Sequence, residues 1–397
     1  ASTFTIGRDL GQNEPDKLCL DADDLMISKE HLVLQKNSEG WHATDKSKTG
    51  TDLNGRLFGQ TRLVYGDRLR ISHYLFEFGG DHLRRIDHLD VGTLQATNVV
   101  VEVPDRESGD PLRILNDVTL DIQTGEFIGI LGGSGQGKST LLNALCGISP
   151  GTSGSVSIGG VPVEELIKNR PGSIGYVPQD DIVHSELSVT QAFRYSARLR
   201  LPLPRSEREE LIQRTIEVLG LTEHKSKRVF QLSGGQRKRV SIGIELLSKP
   251  DILFLDEPSS GLDPATEKSL MELLQALSLT NLTVVCTTHV LQNAFLFNRL
   301  LFVHGGKMIF AGSAGQAREY FLGSSATQSM TASMGVGRTA QSPLEKIYPT
   351  VLESTKPAAE WETEFEKSRF FTPQKLIDGP PPEERSKIKS VGAITKL

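Results

Sequence analysis

The chain has 397 residues and a formal net charge of −5, so it is long enough for more than one domain and too acidic for a general nucleic-acid-binding protein. Three scattered cysteines, Cys19, Cys146 and Cys286, lack metal-site spacing and fit buried thiols in a reducing cytoplasm. No apolar run approaches the length of a membrane span. We therefore expect a multidomain chain without a nucleic-acid partner.

Residues 1–90 alternate short apolar runs with turn signals. The turn signals lie at residues 13–15, 37–40, 54–55 and 66–67. Short strands at this spacing predict an all-β sandwich.

Four segments of this region resemble the motifs of forkhead-associated (FHA) domains. They are residues 4–9, 27–31, 53–55 and 65–67. The resemblance implies a domain whose loops bind phosphothreonine peptides. It places Arg8 and Ser28 at phosphate-contacting positions, with Lys29 beside them, and His31 at the position that braces the loop. An arginine gives a strong charge-assisted hydrogen bond to phosphate.

The next loop departs from the FHA pattern. Where Thr-Asn is usual before Gly-Thr, this chain has Lys48-Thr49. The asparagine that supports recognition of the peptide backbone is absent, and Lys48 could supply a replacement charge. Two interpretations stay open: phosphothreonine binding, with Lys48 and Thr49 among the contacts, or a retained fold whose binding is lost or altered.

A phosphate-binding loop follows in the next segment. Gly132-Gly133-Ser134-Gly135-Gln136-Gly137-Lys138-Ser139 matches the pattern G-x-x-x-x-G-K-[ST], and Thr140 continues it. An apolar run at 127–131 predicts a strand before it, and 140–146 predict a helix after it. Backbone N–H groups of such a loop surround nucleotide phosphates. Lys138 is expected to reach the β- and γ-phosphates, and the Ser139 hydroxyl is expected to bind Mg²⁺.

A second apolar run, residues 252–255, leads into Asp256 and Glu257. Such a run suits a buried parallel strand, whose carboxyl end opens at the ligand crevice of an α/β sheet. Asp256 is predicted to hold Mg²⁺, and Glu257 to accept a proton from an attacking water. Without the phosphate-binding loop, two solvated acids ending a strand would be the better interpretation.

Further motifs follow in the order found in ATP-binding-cassette (ABC) proteins. Leu232-Ser233-Gly234-Gly235-Gln236 is the ABC signature sequence, Gln179 resembles the Q-loop glutamine, Asp263 closes a segment resembling the D-loop, and His289 resembles the switch histidine. The resemblance covers about 94–323. It implies an α/β P-loop NTPase with a helical subdomain that hydrolyses ATP. Within it, the resemblance gives Glu257, His289 and Gln179 catalytic roles. It also makes Gln179 a further Mg²⁺ ligand.

The resemblance also implies a head-to-tail dimer with a second copy of the chain. Each ATP would lie between one P-loop and the partner's signature sequence, with Ser233, Gly234 and Gly235 at the γ-phosphate. Gln236 and Asp263 complete the implied nucleotide-binding set. The aromatic residue that the family often stacks on adenine is missing, because the first cassette strand, around 98–103, offers aliphatic side chains in its place.

Beyond residue 323 the composition changes. Residues 324–343 predict a flexible linker, residues 344–397 a helical and basic extension, and 350–371 within it one amphipathic helix. Segments 236–246 and 307–312 resemble subfamily G exporters, in which the nucleotide domain precedes the membrane domain in one chain. The resemblance implies that the extension leads toward a membrane domain outside this chain, at the cytoplasmic face of the plasma membrane.

The favoured hypothesis is the ATPase part of an ABC exporter with a phosphothreonine-binding regulatory domain. Its expected partners are a second copy, a membrane-spanning domain and a phosphothreonine protein. One alternative is a soluble ABC ATPase that powers a non-transport event, although such proteins usually carry two cassettes or a coiled-coil insertion. The other is a phosphopeptide-binding scaffold with an inactive cassette, against which the complete set of catalytic motifs weighs.

Overall fold

The computed structural model describes residues 3–8, 16–20, 24, 26–38, 40–53, 56–72, 74–86, 93–105, 109–149, 151–323, 343–352, 354, 356–371 and 394–396. The first domain is built from ten strands in this range: β1 (Thr3–Arg8), β2 (Lys17–Leu20), β3 (Leu32–Asn37), β4 (Gly40–Asp45), β5 (Thr51–Leu53), β6 (Arg56–Phe58), β7 (Gln60–Arg62), β8 (Arg68–Ile71), β9 (Tyr74–Phe78) and β10 (His82–Ile86).

These strands form two sheets, ordered β2-β1-β3-β4-β7 and β10-β9-β8-β5-β6. Alternation along the strands gives each sheet a buried face: Phe4 and Ile6 of β1, and Trp41 and Ala43 of β4, point into one shared core. The predicted all-β domain is therefore confirmed. The turns expected at 13–15 and 54–55 lie outside the described residues.

The second domain begins with long antiparallel strands and continues into a mostly parallel sheet. Its strands are β11 (Leu94–Pro104), β12 (Pro111–Ile122), β13 (Phe127–Leu131), β14 (Ser153–Ile158), β15 (Val161–Pro162), β16 (Ile174–Val177), β17 (Ile252–Leu255), β18 (Thr283–Thr288), β19 (Arg299–His304) and β20 (Lys307–Gly312). One sheet has the order β12-β11-β14-β15, and the other β16-β17-β18-β13-β19-β20. Only β20 runs antiparallel to its neighbour in the second sheet.

The helices are α1 (Lys138–Leu145), α2 (Val163–Asn169), α3 (Val189–Arg200), α4 (Arg205–Val218), α5 (Gly234–Leu246), α6 (Pro264–Ser278), α7 (Ala314–Leu322), α8 (Ile347–Leu352) and α9 (Ala358–Lys367). Ser188, Ser233 and Ser313 begin α3, α5 and α7 with capping boxes, in which a glutamine three residues later returns a hydrogen bond. The sequence thus fixes several helix starts through its local capping residues.

Strand β13 divides the second domain's core into two layers. All five of its residues are buried. Ile128 and Ile130 face α1 and the antiparallel sheet, whereas Phe127 and Leu131 face the layer that contains α3 to α6. A strand covered on both faces reads as a continuous apolar run, which is why the sequence showed no alternation here.

The predicted single helix at 350–371 is wrong in extent. The structure places α8 and α9 there, with Pro357 immediately before α9. Proline lacks an N–H and disfavours helical backbone in the residue before it, so the helix cannot run through. Trp361 and Phe365 are buried, and the Phe365 ring lies 5.4 Å from that of Phe310 on β20.

Other C-terminal expectations fall largely on residues that are not described. The linker prediction falls outside the described residues except at Pro343, and the basic end does so except at β21 (Ile394–Lys396), which pairs antiparallel with β10. Within the described ranges, no helix combines the length and the apolar character needed to cross a membrane. All three cysteines are free thiols. Cys146 and Cys286 are buried as expected, whereas Cys19 is only partly buried, and burial raises the pKa of Cys146 to about 11.

The two domains meet through charged side chains. Arg70 of β8 donates to the Asp251 carboxylate across 2.8 Å, and Arg170 of the second domain donates to the same oxygen across 3.1 Å. Burial lowers the pKa of Arg70, and the nearby Asp251 charge acts in the opposite direction. Lys249 forms a second ion pair with Asp24 of the first domain. Asp251 is therefore the shared counter-charge of two arginines at the domain boundary.

Asp251→Asn is expected to destabilise the protein by about 3 kcal/mol, because both arginines stay partly buried without their common counter-charge. Urea unfolding followed by tryptophan fluorescence measures the effect. Glu102→Gln is the matched control, since it breaks the Arg113 pair, in which the arginine is 60% exposed, and should change stability by less than about 1 kcal/mol. Equal unfolding midpoints for the two variants would contradict this account of the boundary.

Candidate functional site

The phosphate-binding loop lies between β13 and α1, and its glycines are required by geometry. Gly137 precedes α1 with a φ of 99°, in the left-handed region that favours glycine. A Cβ on Gly132 would come within 2.4 Å of the carbonyl oxygen of Val303 on β19. The loop therefore lies against the end of the sheet.

Lys138 and Ser139 connect this loop to the end of β17. Lys138 is 6% exposed, and its Nζ donates to the Gly133 carbonyl across 2.9 Å and lies 3.7 Å from Oε1 of Glu257. Ser139 Oγ donates to Oδ1 of Asp256 across 2.9 Å. The structure thus brings together four residues that the sequence places in two motifs more than a hundred positions apart.

Thr287, at the end of β18, is a functional candidate that the sequence analysis missed. Its Oγ1 donates to Asp256 Oδ1 across 2.6 Å and accepts from the Glu257 N–H across 2.8 Å. Strand β18 lies between β13 and β17, so its end reaches both acidic residues. The available signal was a hydroxyl residue two positions before the predicted histidine.

Glu257 lies between two nitrogen-bearing side chains. Its Oε2 is 3.4 Å from Nδ1 of His289, and its other oxygen faces Lys138. The backbone of Glu257 has a φ of 39°, which is uncommon for a residue with a side chain and costs free energy. His289 is about half exposed. This arrangement positions one carboxylate to accept a proton at the mouth of the site.

The residues at the sheet edge fit a magnesium ion. Mg²⁺ prefers oxygen ligands and is usually held by one or two carboxylates together with substrate phosphates. Asp256 and Ser139 supply a carboxylate and a hydroxyl in direct contact. Among the described residues, no cluster of three or more His, Cys, Asp or Glu is arranged for a metal. Gln179 is exposed two residues beyond β16, so its predicted role as a ligand stays a prediction.

The signature sequence begins α5. Ser233 caps the helix by accepting from the Gln236 N–H, and the Gln236 side chain accepts from the Ser233 N–H. A Cβ on Gly235 would lie 2.2 Å from Thr266 Cγ2, so only glycine fits there without a shift. The first amides of a helix have no intrahelical partners and favour an anion.

Asp263 also serves as a helix cap in this structure. It precedes α6 and accepts from the N–H groups of Ala265 and Thr266, both at 3.1 Å. Hydrogen bonds from the Thr266 side chain and backbone lower the pKa of its carboxyl group. Its predicted contact with nucleotide stays a prediction.

Lys238 joins the signature helix to the segment around Gln179. This side chain is almost fully buried, and its Nζ donates to the carbonyl oxygens of Pro178 and Gln179 across 3.2 and 2.9 Å. Asp181 lies 3.5 Å away as its counter-charge. Because Lys238 belongs to α5, a movement of the residues around Gln179 would therefore pull on α5 through these hydrogen bonds.

A groove of about 990 Å³ lies beside this connection. It is lined by residues on either side of Gln179 in the chain and by residues of α3 and α5. Its surface is mostly apolar. Ile182, Tyr195 and Leu199 expose 69%, 54% and 87% of their surface here. Large apolar side chains clustered on a surface indicate a site for another apolar segment.

In the first domain, the predicted phosphate-facing residues come together. The Ser28 N–H donates to Nδ1 of the buried His31 across 3.0 Å, and burial lowers the pKa of His31, which favours the neutral ring that can accept. Ser28 Oγ accepts from the Lys48 N–H across 3.1 Å. Arg8 ends β1 at the same surface. His31 thus holds the Ser28 backbone in place, and its predicted part in phosphopeptide binding stays a prediction.

Two other predicted contacts differ in kind. Thr49 donates its hydroxyl to the Met26 carbonyl across 2.7 Å, so this group is engaged within the loop. Lys29 is exposed. The side chains of Arg8 and Lys48 converge on one carboxylate of the second domain, that of Glu207.

Comparisons with known families agree with this two-part architecture. The family model described as "FHA domain" matches residues 4–72, and the one described as "ABC transporter" matches residues 115–260. The fold prediction for both parts is therefore confirmed, as is the order of the two domains.

Two curated relatives and one solved structure show how far the similarity extends. An ABC transporter ATP-binding/permease protein of Mycobacterium tuberculosis is 35% identical over 297 residues, covering 73% of this chain and 34% of the relative. ABC transporter G family member 14 of Arabidopsis thaliana is 40% identical over 218 residues, covering 52% and 33%. The chain thus spans about a third of the length of these relatives. The structure of cbiO1 from Clostridium perfringens, part of an ABC transporter complex, is 28% identical with a TM-score of 0.52, covering 60% of this chain and 98% of that one.

Thr287→Val is expected to lower turnover of ATP at least about tenfold while changing nucleotide affinity little, because it removes the group that orients Asp256 and the Glu257 backbone. Steady-state phosphate release and nucleotide titration separate the two effects. The matched control is Thr283→Val at the opposite end of β18, where the hydroxyl accepts from the Gly125 N–H. Equal turnover in both variants would remove the positioning role of Thr287.

Proposed function

The chain carries an FHA domain followed by an ABC transporter ATP-binding cassette, and on this premise we propose that it hydrolyses ATP to drive a membrane exporter under the control of a phosphothreonine protein. The cassette would work at the cytoplasmic face of the plasma membrane. The observation that carries the catalytic part is the chain of contacts from Ser139 through Asp256 and Thr287 to Glu257.

The geometry supports hydrolysis by positioning. Amides of the phosphate-binding loop and Lys138 would hold the phosphates of ATP. Ser139 and Asp256 would hold Mg²⁺, which neutralises phosphate charge when bound. Glu257 would take the proton of the attacking water, and His289 would orient that carboxylate from 3.4 Å. Lys138 lies 3.7 Å from Glu257, so its turning toward the phosphates would release this carboxylate for the water.

A second copy of the chain would complete the site. Ser233 is exposed at the start of α5, where the Gly234 and Gly235 amides belong to the first turn and have no intrahelical partner. Such amides stabilise the charge of a γ-phosphate when that phosphate is presented to them. Head-to-tail pairing would bring the signature sequence of one copy onto the nucleotide held by the other.

The groove beside the Gln179 segment supports the transport role. We propose that it receives a helical segment of the membrane-spanning domain, because its apolar lining suits such a segment better than solvent. Lys238 would pass movement of that segment to the signature helix. The name of the mycobacterial relative combines ATP-binding and permease functions, which supports the same pairing here.

The FHA domain would supply control. Arg8 and Lys48 offer two cations at one surface. Ser28 lies beside them, with its N–H bonded to His31 and its hydroxyl bonded to the Lys48 N–H. A phosphothreonine carries nearly two negative charges and three acceptor oxygens, which match such a set. Lys48 would take the place of the asparagine that this loop lacks.

Glu257→Gln should retain ATP binding and slow hydrolysis about a hundredfold, the usual scale for loss of a general base. Because nucleotide would then stay bound between two signature sequences, this variant should sediment as a dimer with ATP and Mg²⁺ and as a monomer without them. Lys138→Ala is the comparison variant and should weaken nucleotide binding itself. Near-normal turnover in Glu257→Gln would remove the general-base role, and an ATP-independent monomer would count against the dimer.

Arg8→Ala should reduce capture of phosphothreonine peptides by at least about tenfold, because it removes a charge-assisted bond to phosphate. Fluorescence anisotropy with a degenerate phosphothreonine library measures this change. Arg62→Ala, on an exposed residue of β7, is the control that should bind as the parent chain does. Equal binding by both variants would show that Arg8 does not contact the phosphate.

A further inference from the structure

The cassette places a carboxylate on the phosphate-facing surface of the FHA domain. Glu207, in the first turn of α4, lies with Oε1 3.0 Å from Nζ of Lys48 and with Oε2 3.3 Å from Nη2 of Arg8. The side chains of Arg8 and Glu207 are 13% and 20% exposed, so this contact is largely shielded from solvent. The residues predicted to bind phosphate are thus already engaged by an anion from the same chain.

We propose that Glu207 is an internal ligand of the phosphothreonine site, so that a phosphothreonine peptide must displace the cassette in order to bind. This inference rests on the proposed phosphothreonine binding and adds its regulation. The phosphate surface would then have two alternative occupants, the cassette carboxylate in the docked state and a phosphothreonine in the released state.

Charge decides which occupant is better matched. Glu207 brings one negative charge to two cations, whereas a phosphate brings nearly two charges and a third oxygen. Arg8 also keeps a buried Nε that has no hydrogen-bond partner among the described residues. A phosphate could satisfy that donor, since it offers more acceptors than a carboxylate does. A phosphate is therefore the better-matched occupant of this surface.

Displacement of Glu207 would break the contact between the FHA domain and α4. The domain contacts α4 through Glu207 and contacts the start of β17 through Asp251, so it bridges the helical layer and the central sheet. Helix α4 packs against α3 and α5, and α5 begins at the signature sequence. A bound phosphothreonine would release α4, while Arg70 keeps the FHA domain on the cassette through Asp251. The phosphothreonine signal would thus reach the layer that carries the signature sequence.

The test compares three forms of the full chain: the parent, Glu207→Gln and Glu210→Gln. Glu210 lies on the same helix and pairs with Arg214 of that helix, so its variant makes the same charge change away from the FHA surface. The probe is a fluorescent library of peptides that each carry one fixed phosphothreonine between random residues. Glu207→Gln should bind about three- to tenfold more tightly than the parent, because the competing ion pair is gone. Glu210→Gln should bind as the parent does.

Amide hydrogen exchange gives a second readout on the parent chain. Saturation with the same library should speed exchange at residues 205–210 and leave exchange around Asp251 unchanged. Equal affinities for all three forms, with no change in exchange, would overturn the competition while phosphothreonine binding stands. Absence of binding by every form, Glu207→Gln included, would overturn the proposed phosphothreonine function and this inference with it.

Discussion

The hydrogen bond from Ser139 to Asp256 is the contact on which the nucleotide site depends. It joins the phosphate-binding loop after β13 to the end of β17, two strands away in the sheet. Because β13, β18 and β17 are parallel neighbours in the sheet, their carboxyl ends meet at one edge. Thr287 ends the intervening strand β18 and bonds to the same carboxylate oxygen. The order of strands in the central sheet therefore sets the distances between the predicted catalytic groups.

A different constraint governs how the two domains meet. Their boundary depends on charges that are partly withdrawn from water, and each such charge needs a partner close by. Asp251 meets this need for Arg70 and Arg170, and Glu207 meets it for Arg8 and Lys48. The first contact lies away from the proposed ligand surface, whereas the second lies on it. Exchange of Glu207 for a phosphate, as proposed above, would leave the Asp251 contacts in place.

The sequence predicted those features that depend on neighbours along the chain. The glycine-rich motif predicts the phosphate-binding loop, and the apolar run at 127–131 predicts strand β13, from neighbouring residues alone. Features that depend on distant partners were missed. Thr287 and Glu207 became candidates only when folding placed them beside Asp256 and Arg8. The single helix expected at 350–371 is interrupted for a local reason, because Pro357 disfavours helical backbone in the residue before it.

Phosphate release from ATP by the purified chain, measured over a range of protein concentrations with and without Mg²⁺, tests whether the cassette is catalytic and needs a second copy. Release should need Mg²⁺, and the specific activity should rise with protein concentration if a second copy completes each site as proposed. A chain that binds ATP but releases no phosphate at any concentration would contradict the assignment of a catalytic cassette. Release with the same specific activity at every concentration would contradict the completion of the site by a second copy.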